Sequence, residues 1–263
     1  HTLMYDGYMA GSLSSSPGGG NEYLCMTSEQ GLDQFQLSAE TGADVSRAEY
    51  VYSNGPLSMV SALNQFDAVC SVCQAPGRAW SLTVPGRGDC PDSFVVDYTG
   101  YVMAETWNAA GVTKHICVDS NAEGVAESDG VDSSVKLYPV ETYDGVAGYV
   151  SHREVTCAQC STDAGPVYVR WGRRSCPVAA TLVYAGRVAA PHYHTSDLGG
   201  GHNYLCLHDV ATYGDEGNTG MDSTNGRLYR TEYETSGKGL WQLWGLQGED
   251  VPCAVCQSRG SVS

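Results

Sequence analysis

The chain has 263 residues and a formal net charge of −16, from 30 acidic and 14 basic residues. Nucleic-acid binding requires Lys and Arg to neutralise phosphates, so this balance disfavours nucleic acid as a partner and disfavours an anionic membrane surface in the same way. No run of 18 apolar residues occurs, so the sequence predicts no membrane span. Eleven cysteines and 32 glycines are typical of a secreted, disulfide-stapled protein. We therefore expect an extracellular protein.

Short apolar runs, bounded by Gly and Pro, follow one another along the chain. Examples are Ser81–Val84, Phe94–Tyr98, Pro166–Trp171 and Ala180–Tyr184. These runs are rich in β-branched and aromatic residues and too short for helices, so they predict strands. Only the stretch near Leu57 to Phe66 is a helix candidate, of a turn or two at most. The expected fold class is all-β with little helix.

The cysteines recur in one spacing pattern, which consists of a Cys followed by Pro, a lone Cys about 30 residues later, and a Cys-x-x-Cys pair. The copies are Cys25, Cys70 and Cys73 (incomplete); Cys90, Cys117, Cys157 and Cys160; and Cys176, Cys206, Cys253 and Cys256. A Tyr-x-Gly string precedes each lone Cys by about 20 residues. The pattern predicts one domain over residues 1–263, made of three tandem repeats over residues 1–73, 74–160 and 161–256.

The first copy lacks its Cys-Pro, whose equivalent would lie three or four residues before His1. At the other end, residues 257–263 start like a fourth copy and then stop. These observations predict that residues 257–263 complete repeat one. The three disulfide-stapled repeats would then close into a pseudo-threefold ring with no exposed sheet edge.

Disulfides are favoured over zinc or redox chemistry because each of the first two Cys-x-x-Cys pairs is followed 17 or 16 residues later by a Cys-Pro. We predict five intrachain disulfides, in which each Cys-x-x-Cys pairs forward with the next Cys-Pro and the next lone Cys. The predicted sets are Cys70 and Cys73 with Cys90 and Cys117, Cys157 and Cys160 with Cys176 and Cys206, and Cys25 with Cys253 or Cys256. The remaining cysteine would be free, or would link an oligomer.

Four strings carry a resemblance to a known family. They are Tyr168–Arg173 before Cys176-Pro177, Tyr184–Gly186, Gly199–Leu207, and Val251–Cys256. They resemble the cysteine-rich repeat of secreted sponge, cnidarian and mollusc proteins often labelled short-chain collagen C4-like, and the resemblance covers nearly the whole chain. It implies a secreted marine-invertebrate protein built from this repeat and supplies no catalytic residue. The chain has no Gly-X-Y tract, so nothing collagenous is expected.

Features shared by all copies are expected to be structural. The recurring tyrosines and glycines should pack a core and permit close backbone approach; they are Tyr5, Tyr98 and Tyr184 with Gly7, Gly100 and Gly186. Two acids also align in every copy, and we expect them to form salt bridges, although equivalent binding sites are the alternative. They are Glu49, Glu141 and Glu232 with Asp67, Glu154 and Asp250, and the expected partners are Arg78, Arg173 and Arg259.

Possible metal ligands are concentrated in repeat three. On a strand His192 and His194 would share a face, so together with His202 they could bind copper or zinc, unless they are solvated loop histidines. A calcium site is a further possibility. The loop from Asp119 begins like a calcium loop, but Gly130 stands where a bidentate Glu is needed.

Aromatic faces stack on sugar rings, and Asn, Asp and Glu accept hydrogen bonds from sugar hydroxyls. The candidate ligand-binding residues are Tyr193, Asn203, Tyr204, Trp241 and Trp244 in repeat three and Asn21 and Tyr23 in repeat one. Three equivalent units would give multivalency. The sequence therefore predicts a secreted multivalent, lectin-like protein whose partners are extracellular glycans.

Two alternatives stay open. An acidic structural protein of extracellular matrix, mucus or shell would contact matrix proteins. A secreted oxidase or luciferase would need a pocket between repeats. The chain contains neither a Gly-x-Ser-x-Gly elbow nor a His-Glu-x-x-His helix. The sequence thus favours binding over catalysis and identifies no catalytic residue.

Overall fold

The computed structural model describes residues 1–29, 45–52, 57, 61–126, 135–143, 148–192, 201–214, 224–234 and 248–258. These residues form strands and no helix longer than about one turn, which confirms the all-β prediction. Among them, no helix is long and apolar enough to cross a membrane.

Fifteen strands make up the described sheet structure. They are, in chain order, β1 (Thr2–Gly11), β2 (Leu24–Thr27), β3 (Ser46–Tyr50), β4 (Asp67–Gln74), β5 (Trp80–Pro85), β6 (Val95–Ala104), β7 (Ile116–Asp119), β8 (Gly124–Val125), β9 (Val135–Thr142), β10 (Thr156–Thr162), β11 (Val167–Trp171), β12 (Ala180–Ala190), β13 (Leu205–His208), β14 (Gly226–Arg230) and β15 (Pro252–Ser258).

Each repeat builds its own antiparallel sheet in the same strand order. Repeat two has the order β7-β6-β10-β5 and repeat three has the order β13-β12-β15-β11. Repeat one has the order β2-β1-β4 and lacks an equivalent of the outer strands β5 and β11 among the described residues. The Cys-x-x-Cys strand is therefore central in two repeats. In the first repeat a described strand, β8, covers its outer side only at Asp67 and Ala68.

The recurring glycines let two strands approach closely. A Cβ added at these positions would collide with a carbonyl oxygen of the neighbouring strand. The distances are 1.7 Å at Gly7 to Met26, 1.7 Å at Gly100 to Val118 and 2.1 Å at Gly186 to Leu207. The expected close backbone approach is confirmed in all three repeats.

The recurring tyrosines close the same strand pair with a hydrogen bond. Each hydroxyl donates to the backbone carbonyl of the lone cysteine of its own repeat. The pairs are Tyr5 to Cys25 (3.3 Å), Tyr98 to Cys117 (3.0 Å) and Tyr184 to Cys206 (3.0 Å). The register of the central strand pair also shifts next to each of these tyrosines. Of the three tyrosines only Tyr184 is buried, and Tyr5 is 36% exposed.

Parallel strand pairs join the repeats. Strand β9 of repeat two pairs with β3 of repeat one through residues 135–137 and with β14 of repeat three through residues 140–142. The repeats are therefore not independent beads. By the same repeat spacing, a parallel strand pair that joins repeat three to repeat one would involve residues 43–45 of repeat one. Residues 43 and 44 lie outside the described part. The pseudo-threefold ring stays a prediction.

The five disulfides all lie within repeats, so the predicted forward pairing is wrong. They are Cys25–Cys70, Cys90–Cys160, Cys117–Cys157, Cys176–Cys256 and Cys206–Cys253. The reason is strand order. On one side of the Cys-x-x-Cys strand lies the Tyr-x-Gly strand, and the strand with the lone Cys lies next to that. On the other side lies the outer strand, which the Cys-Pro follows. Both partner cysteines therefore belong to the same repeat as the Cys-x-x-Cys pair.

The prediction that residues 257–263 complete repeat one is wrong for Gln257 and Ser258, the two of these residues that the structure describes. Gln257 pairs with Val167 of β11 and Thr181 of β12, and Ser258 pairs with Ala180. These residues therefore complete repeat three and not repeat one. Residues 259–263 lie outside the described part. Cys25 bonds neither Cys253 nor Cys256, because both belong to disulfides of repeat three.

The aligned acids face each other across strands as Glu49 with Asp67, Glu141 with Glu154 and Glu232 with Asp250. Their arginine partners differ from those expected. Arg47 bonds Asp67 at 2.9 Å, Arg230 bonds Glu232 at 2.8 Å, and Arg187 lies 3.4 Å from Asp250. Arg78 instead contacts Asp97 and Ser161, and Arg259 is not described.

The glycine contact yields a stability prediction. Gly100→Ala should lower the free energy of unfolding by at least roughly 3 kcal/mol, and the melting temperature by roughly 6 to 12 °C, because backbone atoms must move. Gly88→Ala is the matched control, since an added Cβ there meets nothing within 4 Å. Thermal unfolding followed by circular dichroism measures both. Equal melting temperatures for the two variants would contradict the close-approach argument.

Candidate binding cleft at the incomplete first repeat

The Cys-x-x-Cys strand of repeat one has an open edge. Strand β10 lies between β6 and β5, and β15 lies between β12 and β11. Over its Cys-x-x-Cys residues β4 has β1 on one side and no described strand on the other. Burial agrees, because Cys160 and Cys256 are 0% exposed whereas Ser71, Cys73 and Gln74 are exposed.

The backbone direction at this edge follows from the complete repeats. Gly86, just after β5, donates its N–H to the carbonyl of Thr156 at 2.8 Å, and Gly172, just after β11, donates to Pro252 at 2.7 Å. Val69 is the equivalent of these two acceptors. The backbone N–H and C=O groups of successive residues point to alternate sides of a strand. Those of Val69, Ser71 and Cys73 therefore point to the open side of β4.

A cleft of about 630 Å³ lies against this edge. One wall belongs to β4 and the other to the sheet of repeat two. The first wall includes Ser71 and Cys73, and the second includes Trp80, Asp97, Asp119 and Ser161. His1 also lines the cleft. The site is therefore built between two repeats and on several strands.

Polar side chains form a connected network on the wall of repeat two. The Ser161 hydroxyl donates to Asp97 Oδ1 at 2.8 Å and accepts from Arg78 Nε at 2.7 Å. His1 Nε2 also lies 2.8 Å from Asp97 Oδ1. Burial, together with the nearby charges of Asp119 and Asp97, raises the pKa of Tyr98 to about 12, so this phenol stays protonated at physiological pH. Trp80 is 41% exposed beside this network.

Cys73 is the one free cysteine of the chain, and its thiol is exposed in the cleft. All ten other cysteines form the five disulfides described above, and all eleven lie in described residues. The equivalent residues in the other repeats, Cys160 and Cys256, bond the Cys-Pro cysteines Cys90 and Cys176. The free thiol thus lies where no described strand covers β4.

The described ligand residues predicted from the sequence do not line this cleft. Tyr23 is partly buried and donates its hydroxyl to the carbonyl of Lys136 at 3.0 Å. Asn203 accepts two hydrogen bonds from His115. Asn21 is exposed, and Tyr204 is 61% exposed. Tyr193, Trp241 and Trp244 fall outside the described residues, so the sugar-binding set stays a prediction.

Asn203 belongs to a buried junction between repeats two and three. Its Oδ1 accepts from the backbone N–H of His115 at 2.7 Å and lies 2.9 Å from the ring Nδ1. Burial lowers the pKa of His115 to about 4, so the ring is neutral near pH 7. Nearby, burial raises the pKa of the fully buried Glu105 to about 7. This junction is polar but closed, so it holds repeats together and offers no ligand surface.

The metal candidates are not assembled in the described part of the chain. His192 packs on the ring of Tyr229 at 4.8 Å between centroids, and the N–H of His202 donates to the carbonyl of Thr113. His194 is not described. Across the described ranges no group of three or more His, Cys, Asp or Glu could hold a metal ion. Asp119 accepts from the N–H of Asn121 at 2.9 Å within a local turn, and Gly130 lies outside the description.

Comparisons with known proteins give no basis for assigning a function. No protein-family model matches the chain, and a search of curated proteins finds no match.

Cys73 should be the only thiol that reacts in the native protein. Treatment of the unreduced protein with iodoacetamide should add one label, at Cys73, because the ten other cysteines are bonded. Reduction in denaturant before labelling is the control and should give 11 labels. Tandem mass spectrometry of the digest locates the label. A label on Cys253 or Cys256 would contradict the pairing described above.

Proposed function

We propose that the protein is a secreted binding protein that takes an extended polypeptide strand at the open edge of β4. The observation that carries this proposal is the contrast between repeats, since the strand equivalent to β4 is covered by an outer strand in repeats two and three. Such a protein would act in extracellular assembly, which is the matrix-type alternative above. The five disulfides are consistent with an extracellular location.

Strand addition suits this edge because main-chain hydrogen bonds give affinity and alternate side chains give specificity. Proteins usually protect free edges with charge, Pro or a bulge. Ala68 still pairs with Gly124 of β8, and from Val69 to Gln74 the uncovered edge carries neither a charged residue nor Pro. The backbone groups of Ser71 and Cys73 that face this side are therefore available for pairing.

The charge of the cleft favours a basic strand. Asp97 and Asp119 line the wall of repeat two together with one arginine, Arg78, and the chain carries a net charge of −16. Strand β11 and the residues that follow it offer an internal example of a suitable partner, with Arg170, Arg173 and Arg174. Attraction of such a segment should speed association and weaken with added salt.

Carbohydrate binding is the second candidate, and Trp80 is the observation that favours it. Its ring is exposed at a cleft whose neighbouring groups, Asp97, Gln159 and Ser161, can hydrogen-bond sugar hydroxyls. The proposed sugar-binding site is therefore this cleft and not the set of residues predicted from the sequence. One such site gives no multivalency within the chain.

The strand proposal predicts that a proline at the edge blocks binding. A peptide with the sequence of Val167–Pro177, carrying Cys176→Ser, should bind the protein, and Ser71→Pro should weaken this binding roughly tenfold, about 1.4 kcal/mol. The proline removes an edge N–H that faces away from β1. Isothermal titration calorimetry measures both affinities.

Ser71→Ala is the matched control, because it keeps the N–H and should bind the peptide like the unmodified protein. Circular dichroism shows whether the Ser71→Pro protein keeps its fold. Absence of peptide binding to the unmodified protein would overturn the strand proposal.

The carbohydrate candidate predicts discrete hits on a glycan array. Trp80→Ala should weaken the best hit roughly tenfold or more, because stacking aromatics carry much of the binding free energy at such sites. Trp171→Ala is the matched control, since Trp171 is 49% exposed on β11 and does not line the cleft. No hit on the array, or equal losses for both variants, would remove carbohydrate as a ligand of this cleft.

A further inference from the structure

Each repeat has the same left-handed turn just before its second aligned acid. The residues with positive φ are Gln65 (68°), His152 (58°) and Gly248 (71°). Each of them donates its backbone N–H to the carbonyl of the residue that follows the first aligned acid; the acceptors are Tyr50 (2.8 Å), Thr142 (2.6 Å) and Tyr233 (3.1 Å). The shared turn makes the next residues along the chain, Phe66, Arg153 and Glu249, structurally equivalent.

In repeat one the side chain at this position packs on repeat two. Phe66 lies against Gly124, where an added Cβ would be 2.8 Å from the Phe66 Cβ and 3.4 Å from its ring carbon Cδ2. The strand partner of Gly124 follows the second aligned acid of repeat one, and the partner of Tyr213 follows the second aligned acid of repeat two. The junction between repeats two and three therefore has Arg153 in place of Phe66 and Tyr213 in place of Gly124.

Arg153 lines a cleft between repeats two and three. The cleft has a volume of about 350 Å³, and its other described lining residues are Val150, Thr212, Tyr213 and Gly214, none of them acidic. Hydrogen bonds between the two repeats fix its walls. The Tyr213 hydroxyl accepts from the Val150 N–H at 2.9 Å, and the Gly214 N–H donates to the Glu154 carbonyl at 3.1 Å. The volume lies in the lower part of the range of small-molecule sites.

The Arg153 guanidinium contacts no carboxylate, carbonyl or ring among the described residues, although the side chain is half-buried. The other described arginines that are buried or half-buried each have such a contact. They are Arg78 with Asp97, Arg87 with Asp89, Arg170 with the Ser175 carbonyl, Arg187 with Asp209 and Asp250, and Arg227 with the rings of Trp107 and Tyr143. Burial of a cation without a partner costs free energy. The chain has more than twice as many acidic as basic residues, yet it supplies no described counter-ion here.

We propose that this cleft binds a small ligand through a carboxylate that pairs with Arg153. The planar guanidinium presents parallel N–H groups that match the two oxygens of a carboxylate. Val150 and Tyr213 offer apolar surface for the body of the ligand. A singly charged ligand is favoured over a polyanion, because the net charge of −16 repels a polyanion more strongly.

Two further features support the site. Burial raises the pKa of Tyr213, so the neutral phenol adds no negative charge to the cleft. The cleft shares no lining residue with the one at β4, so this inference does not rest on the proposed strand binding.

NMR titration of the whole ¹⁵N-labelled protein tests the proposal with three probes, namely glucuronate, N-acetylalanine and glucose. At least one of the two carboxylates should bind and shift the backbone amide signals of residues 212–214, whereas glucose should not. Binding of glucuronate alone would identify a sugar acid as the ligand class, and binding of N-acetylalanine alone would identify an amino-acid carboxylate. Arg153→Gln should weaken the binding at least roughly tenfold. Arg153→Lys should weaken it less, because it keeps the charge and loses the planar fork.

Arg173→Gln is the matched control, since it removes the same charge at an exposed residue that does not line the cleft. It should bind the probe like the unmodified protein, and melting temperatures show whether each variant keeps its fold. Three results would overturn the inference. They are no amide shifts with either carboxylate, equal binding of glucose, and equal losses for Arg153→Gln and Arg173→Gln.

Discussion

Each repeat depends on the close approach between its Tyr-x-Gly strand and the strand that carries the lone cysteine. Gly100 has no Cβ, so the carbonyl of Val118 can lie where a side chain would begin, and the Tyr98 hydroxyl fixes the neighbouring carbonyl of Cys117. The close spacing brings Cys117 within bonding reach of Cys157 on the central strand. One missing methyl group per repeat thus permits a hydrogen bond and a disulfide at the same place.

The two kinds of disulfide have different consequences for the architecture. The bond from the lone cysteine ties the central strand to the inner hairpin and is present in all three repeats. The bond from the Cys-Pro ties an outer strand in repeats two and three. In repeat one β1, β2 and β4 pair, and β3 pairs in parallel with β9 of repeat two. The described part of repeat one is therefore held by its inner strands, its inner disulfide and its contact with repeat two.

The sequence was enough to predict the repeats, the β class and the close approach at the shared glycines, because each of these rests on local sequence. The predicted core packing of the shared tyrosines holds for Tyr184 alone, since Tyr5 is 36% exposed. Disulfide direction was not predictable from spacing. Cys90 lies only 17 residues after Cys73 but bonds Cys160, 70 residues away, since strand order and not chain distance decides which sulfurs meet. The five bonds follow once β5 and β11 are known to flank their own central strands.

The cleft was predictable only in outline. The missing Cys-Pro of copy one identified repeat one as incomplete, yet Trp80, Asp97 and Ser161 carry no motif and come from three strands of repeat two. These three residues meet within the sheet of repeat two, and they face β4 because of how repeats one and two pack, which the sequence pattern does not encode. Conversely, Asn203 has a suitable residue type for a sugar contact but is used to hold His115 across the junction between repeats two and three. A residue that differs between copies can therefore serve the packing of the repeats as well as a ligand.

The two ligand classes considered for the cleft share space. Cys73 on β4 and Trp80 on β5 line the same volume of about 630 Å³, so a strand seated along β4 would cover part of the surface on which a sugar would stack. The two ligands should therefore exclude each other instead of binding together.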